Sequence, residues 1–179
     1  MAFLKRLLGL EPSPAQAQAA ELLDWVVRIS RAPGFFGAGR AADTFEGRLE
    51  VVMAHGAVLV LRLRRDAADA SLAQTFVDQY FRYLDASLRE AGVGDLTVPK
   101  RMKKIAGSFY GRLQAYQEGL SDADATELAA ALTRNVLGAA GASFAPEFAT
   151  HLRGLATALQ DLPPAEIPGL SIPTLAPIA

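Results

Sequence analysis

Leu72, Phe76, Tyr80, Leu84 and Leu88 recur at every fourth residue without a break, and Val77 and Phe81 stand beside them. Only an α-helix brings positions i, i+4 and i+8 onto one face, so the spacing predicts a helix over residues 71–91. A five-rung apolar stripe cannot face water and must pack against further elements. The chain around it supplies more helices. Ser13-Pro14 gives an N-cap and a proline in the first turn of a helix over 15–31, with Leu22, Trp25, Val26 and Ile29 on one side.

Residues 32–39 form a glycine-rich connection with no strand before it, so they do not read as a dinucleotide loop. Asp43 to Glu46 reads as a capping box that opens a helix reaching about Arg65. Phe45, Leu49, Val52, Gly56, Leu59 and Leu63 step along that helix, and Val51, Val58, Val60 and Leu61 widen its apolar surface. A helix apolar on most sides is expected at the centre of its bundle. Further helices are expected from Pro99 to about Leu120, from a cap at residues 121–124 to about Leu137, and over 143–159 with Pro146 in the first turn. The expected architecture is all-α, a single bundle of about six helices. Residues 1–12 form a short amphipathic segment, 13–160 the helical domain and 161–179 a proline-rich tail, disordered or wrapped as an extended segment.

Composition narrows the chemistry. The 179 residues contain no Cys and two His, so thiolate metal sites, disulfides and a Cys nucleophile are excluded and a histidine-based network has little material. No P-loop, Gly-x-Ser-x-Gly or His-Glu-x-x-His occurs, and neither does the Glu-x-x-His of a di-metal bundle. Asp78 with Arg82 and Asp85 with Arg89 read as i to i+4 salt bridges. His55, inside the most apolar helix, reads as a core histidine bonded to a neighbouring helix, and His151 reads as a surface partner of Glu147. No cofactor, metal or small-molecule substrate is expected, and no enzymatic activity.

At the N-terminus Phe3, Leu7 and Leu10 fall on one side of a helix and Lys5 and Arg6 on the other. The basic pair interrupts the apolar run, so this is not read as a signal peptide. It is either a turn docked on the domain, a frayed terminus or a contact with a membrane interface. No stretch is long enough to span a bilayer, and the chain reads as cytoplasmic, with peripheral contact to the inner membrane left open.

The most informative helix starts at Pro99. Val98, Met102, Ile105, Phe109, Leu113, Tyr116 and Leu120 make an apolar stripe for the core, and Lys100, Arg101, Lys103, Lys104 and Arg112 surround it with no acid before Glu118. Away from the stripe lie Gly107, Gly111, Ala115 and Gly119, four residues apart. A glycine inside a helix costs about 1 kcal/mol, so an aligned row implies close approach of another backbone. Either a helix of the same bundle covers the row, or the row and its basic collar accept a partner helix, anionic lipid or RNA. Tyr110, beside this charge, is a weak candidate for stacking on a base. The net charge of −1 argues against a strongly basic nucleic-acid binder but not against such a local patch.

The same stretches resemble a known family. Asp43-Thr-Phe-Glu-Gly-Arg-Leu, the Met53-Ala-His55 neighbourhood, residues 84–104 and residues 109–120 together are similar to the ubiquinol–cytochrome c chaperones, which assist assembly of the cytochrome bc1 complex. The similarity extends from about 15 to 159; the block from Gly92 to Arg112 is specific, and the alanine-rich last third matches in character. The resemblance implies an all-helical, non-enzymatic factor acting on newly made cytochrome b at the membrane. Mitochondrial members work with a small partner protein and associate with ribosomes; this short chain looks like a bacterial relative, to which neither association simply carries over. It departs from the family at Tyr83, where an acid is usual, and at Ala54, where Leu is usual.

On this reading a groove beside the Pro99 helix and the residue 95–97 loop holds the client. Lys100, Arg101, Lys103, Lys104 and Arg112 form its rim, with Gly107, Tyr110 and Gly111 beside them. The alternative is a peripheral membrane- or ribosome-binding helical module using the same bases.

Overall fold

The computed structural model describes residues 12–122, 124–173, 175 and 176. The amphipathic N-terminal segment therefore lies outside the described residues. Six α-helices carry the fold: α1 Pro14–Ser30, α2 Phe45–Arg65, α3 Ala70–Glu90, α4 Val98–Ser121, α5 Thr126–Leu132 and α6 Ala145–Leu159. Among the described residues the only β contact is a single bridge between Phe36 and Ala41. The protein is all-α.

Local chemistry sets the ends of these helices. Ser13 caps α1 by accepting from the Gln16 amide, and Gln16 returns the bond to the Ser13 amide, so two orphan donors are satisfied together. For α2 the cap is Thr44, whose hydroxyl accepts from Gly47, and not Asp43; the Asp43 carboxylate pairs with Arg48 instead. Gly92, at φ 82, closes α3 in the left-handed conformation, with the Val93 amide bonding back to Leu88. The alanine-rich helix is shorter than its composition suggests. After Leu132 the backbone widens into a π-turn over Thr133–Leu137, which Gly138 ends at φ 61. The carboxylate of Asp124, expected to cap this helix, does accept from the Thr126 amide at 2.8 Å.

Helix α2 is central, as its breadth of apolar surface implies. It packs against α1, α3, α4 and α6, and every residue from Val51 to Val60 is buried. The α3 ladder is buried from Leu72 to Leu88 against this core. The start of the tail is wrapped, not loose. Arg62, buried at the end of α2, donates to the carbonyls of Leu159 and Leu162 and pairs with Asp66 and Asp69, and Ile167 is fully buried.

Candidate functional site

The α4 stripe is not buried evenly. Val98, Phe109, Leu113 and Tyr116 are covered, whereas Met102 and Ile105 are only half-buried. Ile105 opens on a trough of about 860 Å³ between the first half of α2, the last turns of α3 and the first half of α4. Phe45, Leu49, Met53, Leu88 and Ile105 supply its apolar lining. Lys100, Arg101, Lys103 and Lys104 all border it, together with Thr97 from the preceding loop. Next to Thr97 stands Leu96, 98% exposed.

None of these four bases makes an ion pair or a side-chain hydrogen bond among the described residues. They crowd the first two turns of α4, where the partial positive charge of the helix terminus already disfavours cations and no acid offsets them. The rim thus carries four cations with no ion pair among the described residues, while Glu46 and Glu50 of α2 line the same trough.

Arg112 behaves differently from the collar residue the sequence suggested. It is 9% exposed and lies in the wall of the trough, with Nη2 2.8 and 2.7 Å from the two carboxylate oxygens of Glu50. The same Nη2 donates to the Asn135 carbonyl in the π-turn at 3.3 Å, and Nη1 lies 3.6 Å from the Met53 sulfur. This one side chain ties α4 to α2 and to the π-turn. Burial pushes the Glu50 carboxyl up to about 7, against the pull of Arg112. The Tyr80 and Tyr116 hydroxyls are buried near the pair with no hydrogen-bond partner among the described residues, and burial raises both phenols.

The small-residue row divides. A Cβ on Gly119 would lie 2.7 Å from the Leu128 backbone of α5, so this end is covered by the bundle itself. At Gly107 and Gly111 a Cβ would meet nothing within 4 Å, and both are exposed. Tyr110 between them is 47% exposed; its ring lies near Phe81 of α3, with the Arg64 guanidinium 6.0 Å from its centre.

The histidines belong to the core. His55 is fully buried and its Nδ1 is 2.9 Å from the Val51 carbonyl, which requires a proton on Nδ1. Its Nε2 is then the acceptor, and His151 Nε2–H of α6 donates to it at 3.1 Å. His151 is therefore a partner of His55 and not the surface mate of Glu147. Burial, then the neighbouring His151, pushes His55 down to about 3, and burial also lowers His151. Sequence reasoning placed His55 correctly but missed its partner, because 96 residues separate the two rings. Of the two predicted α3 salt bridges, Asp85–Arg89 forms at 2.6 Å, while Asp78 accepts from Gln74. Among the described residues no three His, Asp or Glu side chains converge to hold a metal ion.

The trough thus joins an apolar lining to four exposed cations, on three helices and the loop before α4. Residues 38–168 match the family model for the ubiquinol–cytochrome c chaperone. The chain belongs to that family. Its fold is similar to the crystal structure of the Cbp3 homolog from Brucella abortus, with a TM-score of 0.74 and 33% identity over 89% of this chain and 90% of that one. No curated protein gives a match.

Proposed function

We propose that the protein is an assembly chaperone of the cytochrome bc1 complex that holds newly made cytochrome b in the α4 trough. Membership of the ubiquinol–cytochrome c chaperone family supports the general role. The observation that carries the finer reading is the trough itself: half-covered Ile105, an apolar lining and four bases with no ion pair among the described residues. A membrane protein awaiting assembly exposes apolar helix faces flanked by polar ends. The trough offers apolar surface to the first, and the rim offers charge to acidic groups on the second. The open Gly107–Gly111 face extends this surface and lets a client backbone come close. No described helix is long and apolar enough to cross a membrane.

Photocrosslinking in cells from positions 103, 110 and 111 tests this reading. Capture of cytochrome b is expected. The combined substitution Lys100→Glu, Lys103→Glu and Lys104→Glu should reduce capture severalfold with helicity unchanged. Undiminished capture would remove the rim from the mechanism. Capture of ribosomal RNA, or salt-sensitive binding to anionic vesicles without cytochrome b, would instead assign the bases to the membrane- or ribosome-binding alternative.

A further inference from the structure

Residues 170–173 and 175 occupy a second groove that shares no residue with the trough. After the buried anchor Ile167, the backbone runs extended from Leu170 between α1, the Pro33–Phe35 turn and α6. It is held mainly through its backbone. Arg28 donates to the Pro168 carbonyl at 2.8 Å, Trp25 Nε1–H to the Leu170 carbonyl at 3.1 Å, and Arg40 to the Ala176 carbonyl at 2.7 Å. Leu170 and Ile172 turn partly inward while Ser171 and Pro173 are exposed, the two-residue alternation of an extended chain. At Leu175 the approach is so close that a Cβ on Gly34 would collide with its backbone.

The fit is incomplete along the rest. Cavities of about 480 and 200 Å³ flank the segment, and Ile172 and Pro173 border both. Both clefts open to solvent, so the segment covers the apolar wall only in part and leaves contacts that a better-filling occupant would make. The segment carries no charge, since none occurs after Glu166. Backbone carbonyls read by Trp25, Arg28 and Arg40 are common to any polypeptide, and the apolar wall selects only for alternate apolar side chains.

We infer that this groove is a binding surface for an uncharged, extended apolar segment of another polypeptide, and that the C-terminal segment is its resident, exchangeable occupant. Tethering gives the resident a high effective concentration, so a foreign segment binds well only when the resident is displaced.

Trp25 is the sole tryptophan, buried under the segment, so its emission reports the state of the groove. The full-length chain is compared with two variants of unchanged helicity by circular dichroism. Ile172→Asp disables the occupant and leaves the seat intact, whereas Gly34→Ala obstructs the seat. Both should shift Trp25 emission to the red. Two probes are then added: a synthetic peptide of residues 169–179, and an unrelated uncharged peptide with apolar residues at alternate positions. Both should return the emission of Ile172→Asp to the blue, binding at least about tenfold tighter than to the unsubstituted chain. Gly34→Ala should respond to neither.

Unchanged emission in Ile172→Asp overturns the inference, as does equal binding of the peptides to Gly34→Ala. Binding of the C-terminal peptide alone overturns it too, because the groove is then a seat for the tail only. A concentration-dependent dimer of the unsubstituted chain that keeps blue emission assigns the groove to segment exchange between two copies and also overturns it.

Discussion

Along α4, Gly119 lies under the Leu128 backbone, whereas Gly111 and Gly107, eight and twelve residues earlier, face open space. The later half of the helix is internal structure: Leu113 and Tyr116 are buried and Arg112 is clamped to Glu50. The earlier half is surface, with Met102 and Ile105 half-covered and four bases that make no ion pair among the described residues. The same four-residue spacing of small residues thus serves two purposes on one helix. Spacing marks where a backbone can approach, and the rest of the fold decides whether one already has.

Arg112 stands at the boundary, and its removal should have the largest effect. Arg112→Met leaves Glu50 in the trough wall without its partner, and breaking a buried pair costs about 3 kcal/mol. Chemical denaturation should show this loss at pH 8 and a smaller one at pH 5, where Glu50 sheds its charge by taking a proton. The sign follows from the direction of the shift. Glu50 sits at about 7 in the folded chain against an ordinary 4.5, so the folded state holds its proton more tightly. That stabilisation is full below about 4.5 and is lost as pH rises through about 7. His55 works in the opposite sense: held at about 3 against 6.5, it stabilises above 6.5 and ceases to as pH falls toward 3. Glu50→Gln should therefore remove a decline toward neutral pH, and His55→Asn should flatten the acid limb. A pH profile identical to that of the unsubstituted chain in both variants would place the titration elsewhere.

Gly119→Ala should come next in size. The added Cβ meets backbone and not a flexible side chain, so α5 must shift, and overpacking of this kind costs about 1–3 kcal/mol. The same substitution in the open half should have the reverse sign. Gly107→Ala and Gly111→Ala gain helix propensity with nothing to strike, and each should stabilise by about 0.5–1 kcal/mol in urea unfolding. If Gly111→Ala destabilises as Gly119→Ala does, the two halves are not distinct. If Gly111→Leu keeps its stability and loses capture of cytochrome b, the open half is where the client backbone lies.

This division explains what the sequence made legible. Periodicity carried the helices because burial of a stripe is enforced over every turn, so the Leu72–Leu88 ladder and the breadth of α2 pointed to their burial directly. The exposure of Lys100, Arg101, Lys103 and Lys104 was legible as well, since charges with no local acid to pair with stay in water. Arg112 was not, because its carboxylate partner lies 62 residues away and no local spacing reveals it. The His55–His151 pair was hidden for the same reason, and the π-turn because Thr133–Leu137 has the composition of an ordinary helix. Which end of the glycine row was covered depended on where α5 returned, a tertiary fact that α4's own residues do not contain.

The smallest predicted effect bears on the open half alone. Lys100 lies in the first turn of α4, near the positive end of the helix dipole and in a cluster with Arg101, Lys103 and Lys104. Replacing it with glutamate removes one repulsion and adds one attraction, so Lys100→Glu should stabilise the free protein by about 0.3–1 kcal/mol at low salt. The gain should shrink as ionic strength rises and the Debye length falls to about 10 Å at 0.1 M. A cluster that is unfavourable in the isolated chain and required for capture is one whose compensating charge arrives with the partner. Loss of stability in Lys100→Glu would mean instead that the four bases are already balanced within the fold, and the trough would then have no electrostatic reason to recruit an acidic client.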